Sequence, residues 1–188
     1  MYSDLETERL RLRPSGPWLT AAVTDYFLRN RTFLRPYEPW REEAFFTLAF
    51  QRRLLREEWR AMAAGSQYRF WVILRETADR IVGSVALTNV LRGSALSCYL
   101  AYRADAALQN RGYTTEAAAR LLEFAFTQLG LHRVEMSIMP RNKPSLRVAH
   151  KLGFICEGLS PAYLNINGAW EDHVRLSKLN PTWLTEKN

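Results

Sequence analysis

The chain is poor in the residues that bind metals and form disulfides. It has two cysteines and three histidines in 188 residues, and neither Cys98 nor Cys156 has a partner at metal-ligand spacing. Both fall in segments that read as strands, so two buried thiols are expected rather than a nucleophile or a disulfide. His132 and His150 have no acidic or metal-binding partner at useful spacing, and no metal site is predicted. Nowhere do about eighteen apolar residues follow one another, the length a membrane span needs. The opening Met1-Tyr2-Ser3-Asp4-Leu5-Glu6 lacks the basic and then apolar run of a signal peptide, so the expectation is a cytoplasmic protein with no membrane segment. There are no repeats, low-complexity tracts or long linkers, and no uninterrupted block of about five basic residues.

The apolar content of 47% is ample for a continuous core, and the length fits a single domain over residues 1–188. A formal charge of +7 and a pI near 9.7 favour an anionic partner, such as a phosphorylated cofactor, an acidic peptide or RNA. Charge alone does not choose among these. Arg9-Leu10-Arg11-Leu12-Arg13 and Gln51-Arg52-Arg53 read as solvated faces.

Alternation at Leu10 and Leu12 predicts a first strand ending at Pro14-Ser15-Gly16-Pro17. Helical spacing of Leu19, Ala22, Val23, Tyr26 and Phe27 predicts a helix from about Trp18 to Asn30, and two prolines make Arg31 to Trp40 a loop. A second helical stretch, Arg41 to Ala64, has Gly65 placed as its C-terminal cap. Tyr68 to Leu74, Ile81 to Val90 and Ala95 to Tyr102 read as an antiparallel meander with turns at Asp79-Arg80 and Arg92-Gly93-Ser94. An amphipathic helix runs from Thr115 to Gly130, followed by a strand from Arg133 to Ile138 and a helix from Pro144 to Leu152. Strands near Phe154 to Ile166 and Trp170 to Leu179 close a hairpin on Asn167-Gly168.

Two helix starts carry the chemistry. Gln109-Asn110-Arg111-Gly112-Tyr113-Thr114 opens one helix, whose first four N–H groups lack intrahelical partners and can cradle a pyrophosphate. Asn142-Lys143-Pro144-Ser145 opens the other and can place a hydroxyl near a thioester sulfur. Taken alone, the first is an ordinary strand-to-helix turn as readily as an anion site. Asn142 can be a helix cap, and Ser145 a first-turn polar residue.

With the element order, these segments resemble the GCN5-related N-acetyltransferase (GNAT) family. Gln109, Gly112 and Thr114 approximate its pyrophosphate loop, although Thr114 stands where a Gly or Ala is usual. Leu5 to Pro14, Asn142 to Ser145 and Leu152-Gly153-Phe154-Ile155-Cys156-Glu157-Gly158 are similar to the branch that acetylates ribosomal-protein N-termini. Phe33 to Trp40, Asn89 to Ser94, Cys98 to Tyr102 and Gly168 to His173 resemble its RimJ type. The resemblance implies an α/β (α+β) fold: a mostly antiparallel seven-stranded sheet, splayed between its fourth and fifth strands, with about four helices.

It also implies acetyl-CoA as cofactor and direct attack of a neutral amine on the thioester. The cofactor would contact Gln109, Asn110, Arg111, Gly112, Tyr113 and Thr114, with Asn142 on the pantetheine arm. Backbone near Leu100, Ala101 and Tyr102 would serve the oxyanion, where a bulge splays the strand. Ser145 would donate to the leaving sulfur. Glu38 would bind the incoming ammonium or relay its proton, unless it is only a surface glutamate. Tyr37, Trp40, Tyr163 and Asp172 would border the acceptor, with His173 nearby; Trp40 is equally a core residue and Asp172 equally a strand-edge one. Ser160, Pro161 and Ala162 stand where some relatives place an acid. The implied acceptor is the N-terminus of a protein or peptide, a ribosomal protein beginning with Ala or Ser, with ribosome contact and a monomer or homodimer as further expectations. Such an α-amine is roughly 10% neutral at pH 7, against about 0.04% for a lysine amine, so a strong base is unnecessary. The alternatives are a small-molecule amine acceptor, or a CoA-binding ribosome-assembly factor.

Overall fold

The computed structural model describes residues 2–77 and 80–182; Asp79 of the expected turn lies outside them. One eight-stranded sheet runs in the order β1-β2-β3-β4-β5-β6-β8-β7. Its strands are β1 (Leu5–Glu6), β2 (Leu10–Pro14), β3 (Tyr68–Leu74), β4 (Ile81–Leu91), β5 (Ser97–Ala104), β6 (Arg133–Ile138), β7 (Ile155–Ile166) and β8 (Ala169–Leu179). The eighth strand beyond the expected seven is the two-residue β1, too short to leave a periodicity. Every neighbouring pair is antiparallel except β5 and β6.

Period-two alternation gives the sheet two apolar faces. Tyr68, Phe70, Val72 and Leu74 of β3 join Leu10, Leu12, Leu100 and Val134 against α3 (Tyr113–Glu123), which contributes Ala117, Ala118, Leu121 and Leu122. Trp71 and Ile73 turn the other way, onto Val23, Tyr26 and Phe27 of α1 (Thr20–Leu34) and Leu55 of α2 (Leu48–Ala63). The fourth helix, α4 (Lys143–Lys151), packs beside α3 and β6.

Local chemistry moved several expected boundaries. The first helix runs on to Leu34, and Arg35–Tyr37 is a 3-10 turn, because Pro36 lies beyond the last helical residue and in the permissive first turn of the next segment. The expected helix from Arg41 divides at Thr47, whose extended backbone and hydroxyl cap α2 by accepting from Phe50 N–H at 3.3 Å. A 3-10 turn at Glu43–Phe46 precedes it. The helix before Gly130 widens to a π turn over Phe124–Gln128. Asn167 and Gly168 both have positive φ, as a tight hairpin turn requires. Cys98 is buried, and burial pushes its thiol up to about 12. Cys156 is exposed, contrary to expectation, because β7 is the sheet edge and is exposed along most of its length.

Candidate active site

The parallel pair β5 and β6 is joined only at Ser97↔Arg133, Cys98↔Val134 and Tyr99↔Glu135. Beyond Tyr99 the strands part, while β5 stays paired with β4 through Leu100↔Leu87, Ala101↔Ala86 and Tyr102↔Val85. In such a ladder alternate residues aim their N–H and C=O away from the partner, so at least one of these three faces the gap. The splay therefore arises from divergence of β6. The register shift in this region lies between Thr88 and Leu91 of β4 rather than in β5, so the bulge expected near Leu100 to Tyr102 is not where the strands open.

A cavity of about 480 Å³ fills the gap. Leu100, Ala101, Tyr102 and Arg103 form its floor, Met136 to Met139 of β6 and its following loop form one side, and the starts of α3 and α4 form another. At α3, Gly112 has φ of 81° and Asn110 φ of 60°, two left-handed steps that turn the chain into the helix. The side chain of Arg9 clamps this turn. It donates to Arg111 C=O at 3.1 Å and to Glu116 at 2.7 Å, while Thr7 donates to the other Glu116 oxygen at 2.5 Å. Burial opposes ionisation of Glu116, but these donors outweigh it and hold its carboxyl below the usual range. The nearest atom to a Cβ built on Gly112 is Arg9 Nη2 at 3.4 Å, so left-handed backbone rather than crowding is what demands glycine there. Gln109, Asn110, Gly112, Tyr113 and Thr114 line the cavity, whereas Arg111 is exposed outside it.

At α4, Asn142 Oδ1 accepts from Ser145 N–H at 3.2 Å, so this asparagine is a helix cap whatever else it does. Asn142, Ser145 and the cations Arg147 and Lys151 line the cavity. The Tyr102 hydroxyl lies 2.8 Å from Ser145 Oγ and 3.0 Å from Ser145 C=O, and burial pushes its pKa up to about 12, with the Ser145 bond opposing. Tyr102 stays a protonated donor at physiological pH.

The other end is closed by an arch between the Arg35–Tyr37 turn and the β7–β8 hairpin. Asn167 N–H donates to Glu38 C=O at 3.0 Å, and Arg141 bridges Pro36 C=O and Glu171, each at 2.8 Å. Tyr37 and Glu38 line the cavity beneath it. Glu38 Oε1 is bonded by Arg103 Nε, while its Oε2 has Arg41 at 3.8 Å. Burial opposes the charge of Arg103, and Glu38 outweighs it. Arg69, also at the wall, lies 2.7 Å from Glu58. On the far side of the arch a second cavity of about 280 Å³ shares Leu34, Glu38 and Pro39, and Trp40 lines that one, half exposed.

The hairpin residues separate. Asp172 turns outward and accepts from Ala162 N–H at 2.7 Å, satisfying a donor that the irregular β7 register leaves over. Tyr163 lines neither cavity; its ring packs on His173 and under Arg175. His173 does line the main cavity and is buried. Its Nδ1 lies 2.9 Å from Glu171 C=O, and a carbonyl only accepts, so Nδ1 carries a proton and Nε2 is the acceptor of the neutral ring. Sequence reasoning assigned no role to the Tyr102 hydroxyl, the Arg9 clamp or Arg103. Each acts across a long sequence separation that no local pattern encodes.

Comparison with known proteins agrees with this geometry. Residues 9–155 match the model of the acetyltransferase (GNAT) domain. The chain is 36% identical over 152 residues to a probable N-acetyltransferase, YjcK, of Bacillus subtilis, covering 81% of this chain and 83% of that one. It is 33% identical over 181 residues to the ribosomal protein uS5-alanine N-acetyltransferase of Escherichia coli, covering 95% and 92%. Among solved structures, the ribosomal-protein-S5-alanine acetyltransferase from Vibrio fischeri superposes with a TM-score of 0.91 at 32% identity, covering 97% and 99%. Mycobacterium smegmatis RimJ in complex with CoA-disulfide does so at 0.86 and 27% identity, covering 92% and 83%.

Proposed function

The chain belongs to the GNAT family and is an acetyl-CoA-dependent N-acetyltransferase, and from that premise we propose that it acetylates the N-terminal α-amine of a ribosomal protein beginning with alanine or serine. The observation that carries this reading is near-full-length similarity to enzymes named for that acceptor, joined to a cavity open to cofactor at one end and arched at the other.

Acetyl-CoA supplies the activated acetyl group. The amides that open α3 would hold its pyrophosphate, with Arg147 and Lys151 available to its phosphates. The residues fit this cargo: left-handed Gly112 and the first residues of α3 line the cavity, and the parted strands leave a slot for an extended arm. A gap-facing N–H of β5 would be the donor to the thioester oxygen, where negative charge develops in the reaction. Tyr102 has a single hydroxyl proton within reach of both Ser145 C=O and Ser145 Oγ; when it is given to Oγ, the Ser145 hydroxyl proton is free for the leaving sulfur. At the acceptor end Glu38 Oε2 receives the incoming amine, and His173 Nε2 takes its proton. Arg69 and Arg103 both stand with Glu38 on the wall of this cavity, and nearby positive charge favours the neutral, reactive amine.

A second reading keeps the chemistry with a small-molecule amine, and the arch favours it, because the bonds from Asn167 to Glu38 and from Arg141 to Pro36 cover what would otherwise be an open groove. The two readings divide on a CoA-thiol release assay using peptides with free Ala or Ser N-termini, the same peptides N-blocked, and a panel of small amines. Turnover on the free peptides alone is expected. Turnover on a small amine alone would overturn the protein acceptor while leaving the acetyltransferase intact.

A further inference from the structure

Several exposed arginines of this protein are paired. Arg9, Arg29, Arg31, Arg75 and Arg141 each have a carboxylate within 4 Å. On the outer face of α2, four stand together without such a partner. Arg52, Arg53, Arg56 and Arg60 are all exposed and have no ion-pair partner among the described residues. Arg52, Arg56 and Arg60 stand at i, i+4 and i+8, a row about 12 Å long at the helical rise. Like charges at that spacing destabilise a helix, and a glutamate at the middle position would relieve both contacts. Instead one acid of α2, Glu58, is turned inward to Arg69 and Ser15. None of the four arginines lines either cavity, so the cofactor's phosphates do not account for them.

Beside the row lies an aromatic pair. Trp18 is 54% exposed and Trp59, on α2, is 39% exposed, and their rings meet edge to face at 6.4 Å. A Cβ on Gly16 would fall 2.2 Å from the Trp18 ring, so this indole lies folded onto glycine backbone, fixed in place yet open to solvent. A row of unpaired guanidinium groups binds phosphates in forked geometry, and an exposed, immobilised indole offers a face for a base.

We propose that the α2 face docks RNA, with phosphates along Arg52, Arg56 and Arg60 and an unstacked base on Trp18. An acidic peptide would leave the indole unused. A membrane would need an apolar row directed outward, whereas Leu55 and Met62 of α2 are buried in the core. This docking is independent of which amine is acetylated.

The test measures binding of fluorescein-labelled poly(U) and of a stem-loop RNA across a salt series. The proteins are the wild type, Arg52→Gln/Arg56→Gln/Arg60→Gln, Trp18→Ala, and a charge-matched Arg75→Gln/Arg80→Gln/Arg92→Gln control. Circular dichroism and thermal melts check folding, and peptide acetylation is followed in parallel. The α2 triple variant is expected to lower the slope of log affinity against log salt by about two. Trp18→Ala should weaken binding at least about fivefold, with acetylation unchanged in both. Absence of RNA binding by the wild type, or an equal loss in the charge-matched control, would overturn the proposal. So would binding only to phosphatidylserine-containing vesicles or only to polyglutamate.

Discussion

Two hydroxyls, Tyr102 and Ser145, share one hydrogen bond, and its direction decides what Ser145 can do. If Tyr102 donates, the serine proton is free for the sulfur; without Tyr102, Ser145 can turn its proton elsewhere. A hydrogen bond to a charged group is worth about 1.5–3 kcal/mol, so Ser145→Ala should lower kcat by about 10- to 100-fold with little change in KM for acetyl-CoA. Tyr102→Phe should lower kcat by a smaller factor and add little to the Ser145→Ala variant, because the two act as a unit. Gly112→Val should show the opposite pattern, a raised KM for acetyl-CoA, since valine is strained at φ of 81°. Steady-state kinetics on the four variants checks this; additive losses at Tyr102 and Ser145 would make them independent. The Asn142 cap was legible in the sequence because capping is a local rule, whereas Gly112 stood out through the family resemblance of its segment. The Tyr102 to Ser145 and Arg103 to Glu38 pairs span 43 and 65 residues and had no local signal.

At the scale of elements, the hydrophobic period revealed every long strand and helix, and Asn167-Gly168 fixed the last hairpin. What it could not reveal was irregularity made by capping and by edges. Thr47 divides the second helical stretch by a side-chain bond, and the β7 register slips twice between Cys156 and Leu164 where no neighbour on its outer side holds it. Edge strand β7 is instead tied inward by Glu157, which bonds Arg133 of β6 and Ser177 of β8. Arg133 first, and then Ser177, pull its carboxyl down to about 2. A depressed carboxyl stabilises the fold above its unfolded pKa of about 4.3, and that contribution is lost as pH falls through the folded value. Denaturant midpoints of the wild type and Glu157→Gln should therefore differ by a constant amount above about pH 5 and converge between about pH 4.3 and 2. A gap that does not change with pH would mean the tie is not electrostatic.

Over the whole molecule, the fold serves one opening. A sheet that is antiparallel except at β5 and β6 parts at that one pair, and the helix starts, the hydroxyl pair and the arch are arranged around the gap. The order of elements made this architecture legible from the sequence, and the charge of +7 pointed to anionic partners. The arch was not legible, because it depends on Arg35–Tyr37 meeting a hairpin turn about 130 residues away, a contact that arises only when the sheet forms. The most direct measurement is the position of the acetyl group on a peptide that carries both a free N-terminal alanine and an internal lysine, read by fragmentation mass spectrometry after incubation with acetyl-CoA. The account predicts acetylation at the N-terminal residue alone. Acetyl on the lysine, or no transfer to the peptide while a small amine is acetylated, would contradict it.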